Sequence, residues 1–92
     1  MPFPKSNRME ELLKRLPPIV IARSQIVSAH IHSLDGALAD AIILKQYGDN
    51  RYLAICGDCY CSAIFNVFVG RFYVDNLYGI IEQERADEIL SD

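Results

Sequence analysis

Residues 41–69 read AIILKQYGDNRYLAICGDCYCSAIFNVFV, and the interpretation of this run decides what kind of molecule the chain makes. Tyr47-Gly48-Asp49-Asn50-Arg51 is turn chemistry set between two apolar runs, because Gly, Asp and Asn accept the backbone angles that a tight reversal needs. It predicts a hairpin with strands at about residues 41–46 and 52–56. Gly57-Asp58 breaks the second strand. Cys59 to Val69 then reads in two ways: as a helix turning Ala63, Ile64, Val67 and Phe68 inward, or as another strand, since it is rich in β-branched and aromatic residues. Gly70 ends it.

Toward the N-terminus, Ala37 to Leu44 is equally open. Leu38, Ala41, Ile42 and Lys45 suit a helical face, whereas Ile42-Ile43-Leu44 suits a buried strand. Ser33 to Gly36 is a turn, and before it Val27, Ala29 and Ile31 alternate with Ser28, His30 and His32, as one strand would require. Ile19-Val20-Ile21-Ala22 is a continuous apolar run that also reads as strand. Asn7 and Glu10 form a capping box for a short amphipathic helix with Met9, Leu12, Leu13 and Leu16 on one face, stopped by Pro17-Pro18. Toward the C-terminus, Tyr73 to Ile81 reads as a last strand interrupted at Asp75-Asn76. The expected architecture is a single α+β domain over residues 1–92. It has a helical N-terminal segment (1–18), a sheet-forming core (19–81) built as a small antiparallel or mixed β-sheet, one or two further short helices, and an acidic C-terminal helix or tail (82–92).

Composition supports one folded core. The chain has 92 residues, 51% hydrophobic and 23% charged, which is far from the composition of disordered chains. Its longest uncharged run, Cys59 to Gly70, has 12 residues, short of the roughly 18 a membrane-spanning helix needs. The start Pro4-Lys5-Ser6-Asn7-Arg8 leads into no apolar signal-peptide region, so a cytoplasmic protein is expected. The average conceals a gradient. Residues 1–23 carry five basic and two acidic side chains, whereas residues 24–92 carry four and ten. Between Tyr52 and Ile81, 21 of 30 residues are apolar, more than a core this small readily hides.

Two constellations carry chemistry. Cys56, Cys59 and Cys61 in a cytosolic protein are reduced, and they read as a metal site completed by His30 or His32, as a redox pair, or as small buried hydrophobes. His30 and His32 share one strand face, where they either chelate a metal or sense pH, or simply meet solvent. There is no glycine-rich phosphate loop and no nucleophile motif, which argues against an enzyme, and no cofactor is implied.

The order of signals resembles the ParB/sulfiredoxin-like fold. Residues Ile19-Val20-Ile21-Ala22-Arg23-Ser24-Gln25-Ile26 resemble the opening strand of that family. Leu38 to Asp40 stands for a shortened helix, Gly48-Asp49 for the turn, and Arg51 to Cys59 for the strand that enters the family motif. Ala63 falls in the post-motif helix and Leu77 to Glu82 in the closing strand. Cys59 matches the sulfiredoxin cysteine, but Tyr60 and Cys61 replace the histidine and arginine that follow it, and the ParB arginines are absent. The resemblance therefore implies the fold with its nucleotide chemistry lost.

Function is expected to lie in contact rather than catalysis. The preferred reading is a small non-catalytic binding protein that docks on a protein or ribonucleoprotein, of the kind phages and plasmids encode as anti-CRISPR or anti-restriction inhibitors. Tyr60, Arg71, Tyr73 and Tyr78 are the expected exposed contacts, because tyrosine and arginine dominate interface hot spots, with Glu84, Asp87 and Glu88 as an acidic patch. A nucleic-acid edge of Lys5, Arg8, Lys14, Arg15 and Arg23 is the secondary expectation, and a homodimer is compatible with either.

Overall fold

A computed structural model of the chain describes residues 7–16, 18–31, 37–57, 59–75 and 79–91. Its elements run α1 (Asn7–Lys14), α2 (Pro18–Arg23), β1 (Gln25–Ile31), β2 (Leu38–Gly48), β3 (Arg51–Cys56), β4 (Cys59–Asn66), β5 (Arg71–Val74), β6 (Ile80–Ile81) and α3 (Gln83–Ser91). From β1 to β5 each strand pairs antiparallel with the next, and β5 then lies parallel to β1, with Ala29, His30 and Ile31 opposite Phe72, Tyr73 and Val74. The sheet therefore closes into a five-stranded barrel. Parity forces the parallel seam: in an up-and-down series of five strands, the first and last run the same way. The short β6 adds to β4 at Tyr60 and Cys61, beyond the reach of β5.

This closure corrects the expected fold class, a small antiparallel or mixed sheet with an N-terminal amphipathic helix and one or two further short helices. Three local readings change with it. Ile19 to Ala22 is not a strand but part of α2, where Pro18 occupies the first helical position, which needs no amide hydrogen. Leu38 to Asp40 is strand from its first residue, not a helical turn. Cys59 to Asn66, open between two states in the sequence, is β4.

Alternation along the closed strands sends side chains to two separate cores. Inside the barrel lie Ala29, Ala41, Ala54, Cys61, Ala63 and Val74, with Ile43, Tyr52, Cys56 and Phe72 packed against them. Five strands enclose a narrow bore, which small side chains fill. On the outer wall of β2, β3 and β4, Ile42, Leu44, Leu53, Ile55 and Tyr60 meet Leu12, Leu16, Val20, Ala86 and Ile89 from the helical segments. Arg15 Nη2 donates to Asp87 Oδ2 at 2.8 Å, and Lys45 Nζ donates to the Ile89 carbonyl at 2.8 Å, so α3 is tied to both the turn after α1 and the barrel wall. The helices thus cover one side of the barrel. Among the described residues, no helix covers the side formed by β1, β5 and the C-terminal half of β4, the bare wall of the barrel.

Candidate functional site

Strand register builds the bare wall. Ile64 on β4 lies opposite Tyr73 on β5, Tyr73 opposite His30 on β1, and His30 opposite Leu38 on β2. Directly opposed residues point to the same face of a sheet. These four side chains therefore form one continuous row across four strands. Ile64 is 49% exposed and Leu38 52% exposed. Between them the His30 and Tyr73 rings stack at 5.0 Å, with 21° between their planes.

The row ends near the β4–β5 turn, residues 67–70. Val67, Phe68 and Val69 are exposed there, Phe68 by 97%. Gly70 takes a φ of 70°, the left-handed conformation that lets the chain leave the turn. The turn is held from below. Asn66 Oδ1 accepts from the Phe68 amide at 3.0 Å, and the Gly70 amide donates to the Asn66 carbonyl at 2.8 Å. Asn50, from the β2–β3 turn, also braces this end of the barrel: its Nδ2 donates to the Phe65 carbonyl at 2.8 Å while its Oδ1 accepts from the Phe65 amide at 3.2 Å. The side chain continues the β3–β4 ladder by one rung. Inside, Phe72 meets Phe65 and Tyr52 edge-on at 5.0 and 5.3 Å.

Beside the row lies a shallow groove of about 520 Å³ lined by Val27, Ser28, Leu38, Phe65, Arg71 and Phe72. Ser28 Oγ donates to Asp40 Oδ1 at 3.1 Å across β1 and β2. A serine, a histidine and an aspartate thus share this wall, but not in catalytic order. The hydroxyl is bonded directly to the carboxylate and the imidazole is stacked on Tyr73, whereas nucleophilic catalysis needs the imidazole between them. The wall presents aromatic rings and aliphatic side chains, with one guanidinium and one carboxylate beside them.

The residues singled out in the sequence divide sharply. Arg71 and Tyr73 stand on the bare wall, Arg71 exposed and opposite Asn66. Tyr60 is corrected: it is 2% exposed, its ring sealed beneath the helices, so it offers no surface. Tyr78, His32 and Lys5 lie outside the described residues, as does the side chain of Arg8. In the acidic segment Glu84 is exposed, but Asp87 pairs with Arg15 and Glu88 with Arg85 at 3.1 Å. Two of the three expected contact carboxylates are therefore engaged internally, as is Arg15 from the expected nucleic-acid edge. Lys14 is exposed, while Arg23 borders a separate hollow of about 210 Å³ with Ile19, Val20, Leu44, Lys45 and Leu90. Sequence reasoning missed Ile64, Leu38 and the Val67–Val69 tip. Only the density of apolar residues between Tyr52 and Ile81 signalled them.

The three cysteines occupy one end of the β3–β4 hairpin. Cys56 is directly opposite Cys59, and Cys61 is opposite Ala54 one step further along the same face. Cys59 is exposed, Cys56 half-buried and Cys61 fully buried. A hydrogen bond from Cys61 lowers the Cys56 thiol to about 7, with burial opposing it, and the same contact, reinforced by burial, pushes the Cys61 thiol up. Among the described residues no group of three or more His, Cys, Asp or Glu side chains is arranged to hold a metal ion. His30 stands instead in the stack on Tyr73, and His32, the other histidine of the metal reading, lies outside the described residues.

No protein-family model, curated protein or solved structure matches this chain. Among the described residues no helix is long and apolar enough to cross a membrane.

Proposed function

We propose that the protein is a small non-catalytic binding domain that docks on a partner protein through the bare barrel wall, with Phe68 as the anchor inserted into an apolar socket of that partner. The observation that carries this reading is the Val67–Val69 tip, where Phe68 is 97% exposed and Val67 70% exposed. Leaving a phenylalanine in water forgoes about 1.5–3 kcal/mol of burial, a cost with no return inside the monomer. The apolar row from Ile64 to Leu38 extends the contact, and Arg71 and Asp40 supply polar groups of both signs beside it, as in interfaces with an apolar centre and a polar rim.

The test is a photo-crosslinking residue placed at position 68 in the native host, followed by binding measurements with the purified partner. Phe68→Ser is expected to weaken binding at least tenfold, and Tyr73→Ala to weaken it further. Ile21→Ser, 51% exposed on α2, serves as the control that leaves binding unchanged. Equal losses from Phe68→Ser and Ile21→Ser would overturn the reading. So would a crosslink to a second copy of this chain, accompanied by a dimer in sedimentation that Phe68→Ser dissolves.

A further inference from the structure

The docking surface leaves the cysteine cluster unused, and its geometry carries a separate inference. The β3–β4 turn at Gly57, with a φ of 70°, brings Cys56 and Cys59 opposite each other at the end of the hairpin. Cys61 lies one alternation deeper on the same face, 1% exposed within the barrel among Ala29, Ala41, Ala54 and Ala63. Accessibility therefore falls from Cys59 through Cys56 to Cys61, with Cys56 touching both levels. We propose that Cys56 and Cys61 form a reversible disulfide across the β3–β4 hairpin when the protein meets a hydroperoxide.

Cys56 is the thiol positioned to react first. It is half-buried at the barrel end, open to a small oxidant, and the hydrogen bond from Cys61 favours its thiolate. In the first step the Cys56 sulfur attacks the terminal peroxide oxygen. The S–O bond forms as the O–O bond breaks, giving a sulfenic acid on Cys56 and an alcohol, or water from hydrogen peroxide, that takes the proton Cys56 released. In the second step the Cys61 sulfur displaces the hydroxyl. The S–S bond forms, the S–O bond breaks, and water leaves with the Cys61 proton. Two thiols have then lost two electrons and two protons, and the hydroperoxide has gained them. A dithiol reductant reverses the change by exchange.

Cys61 is the resolving partner because it is the diagonal neighbour of Cys56 on the inward face of the hairpin, and Cys56 packs against the buried cluster that holds it. Its thiol donates weakly to the Cys59 carbonyl at 3.6 Å. Bond formation at the S–S length of about 2 Å draws the two side chains together across the hairpin. Burial also shields Cys61 from the oxidant itself, so it reacts only with its neighbour.

Peptide mapping of the intact, folded chain after limited hydrogen peroxide decides the matter. Asp58 and Tyr60 lie between the cysteines, so cleavage before Asp58 and after Tyr60 separates all three. The expected result is a Cys56–Cys61 cross-link that disappears with a dithiol reductant and forms equally in Cys59→Ser. Cys61→Ser is expected to stop at a sulfenic acid, trapped by dimedone on Cys56, and Cys56→Ser to slow oxidation at least tenfold. The Cys59→Ser mapping stands alone should Cys61→Ser not fold. A Cys56–Cys59 bond, dimers linked through Cys59 as the sole product, or no intramolecular cross-link in Cys59→Ser would each overturn the proposal.

Discussion

Asn50 offers a demanding test of how the barrel is held closed near the tip. Its backbone is left-handed, with a φ of 56°, and its amide makes two hydrogen bonds to the Phe65 backbone. Three substitutions separate these contributions. Asn50→Gly keeps the backbone angle at no steric cost and loses both bonds. Such bonds are worth about 0.5–1.5 kcal/mol each, and their exposure places them at the low end, so a loss of about 1–2 kcal/mol is expected. Asn50→Ala loses the same bonds and also forces a Cβ-bearing residue without a local partner into the left-handed region. That adds about 1–2 kcal/mol, for a total of about 2–4 kcal/mol. Asn50→Asp keeps the acceptor for the Phe65 amide but sets a carboxylate oxygen against the Phe65 carbonyl, which places it between wild type and alanine. Urea unfolding gives the differences, and hydrogen exchange at the Phe65 amide gives the local opening. The predicted order of stability is wild type, then glycine, then alanine. Equal values for glycine and alanine would show that the backbone angle carries no cost, and two variants within about 0.5 kcal/mol of wild type would show that the rung to Phe65 holds nothing.

Other outcomes follow from the same geometry. Phe68→Ser is expected to change stability by less than about 0.5 kcal/mol, because a ring in water has no packing to lose, and a larger fall in urea unfolding would mean that the tip is packed. Ala54→Leu, opposite Cys61 in the barrel bore, is expected to cost about 1–3 kcal/mol by overpacking, seen as a melting temperature lower by about 4–8 °C per kcal/mol. Alkylation of Cys56 by iodoacetamide tracks its thiolate, so with the thiol lowered to about 7 the rate is high at pH 8 and falls as pH drops through 7. Cys61→Ala removes the lowering hydrogen bond, and the midpoint of that profile moves up.

What the sequence disclosed and what it concealed have separate physical causes. The β2–β3 hairpin is written in adjacent residues, Gly48 to Asn50, whose turn chemistry is local. Closure is not local. It depends on Ala29, His30 and Ile31 finding Phe72, Tyr73 and Val74, about forty positions away, with no motif at either end. The alternation that marks a half-exposed strand is also missing from β4. Its inward residues Cys61 and Ala63 fill the bore while its outward Tyr60 is sealed under the helices, so both faces are apolar and the period of two disappears. Tyr60 read as a surface tyrosine by residue type alone, because no local signal marks the helices that seal it. Alanines at 29, 41, 54 and 63, poor strand formers by propensity, are required by the narrow bore rather than by the strands themselves. Ile19 to Ala22 has the composition of a strand but follows Pro18, and packing of Val20 onto the barrel decides for a short helix. On the bare wall, Arg71 and Tyr73 were identifiable as residue types. The row they belong to exists only once the register is known.

The parallel seam has a thermodynamic consequence for any molecule that uses this wall. His30 belongs to β1 and Tyr73 to β5, so their stack lies across the line along which the ring is joined. A ligand resting on both rings has its full surface only while the ring is shut, and a parted seam divides that surface in two. Its affinity therefore contains the free energy of keeping the seam shut, and mass action works in both directions: occupancy suppresses opening, and anything that loosens the seam weakens occupancy. Amide exchange at the seam would report this occupancy, although no seam amide need touch the ligand.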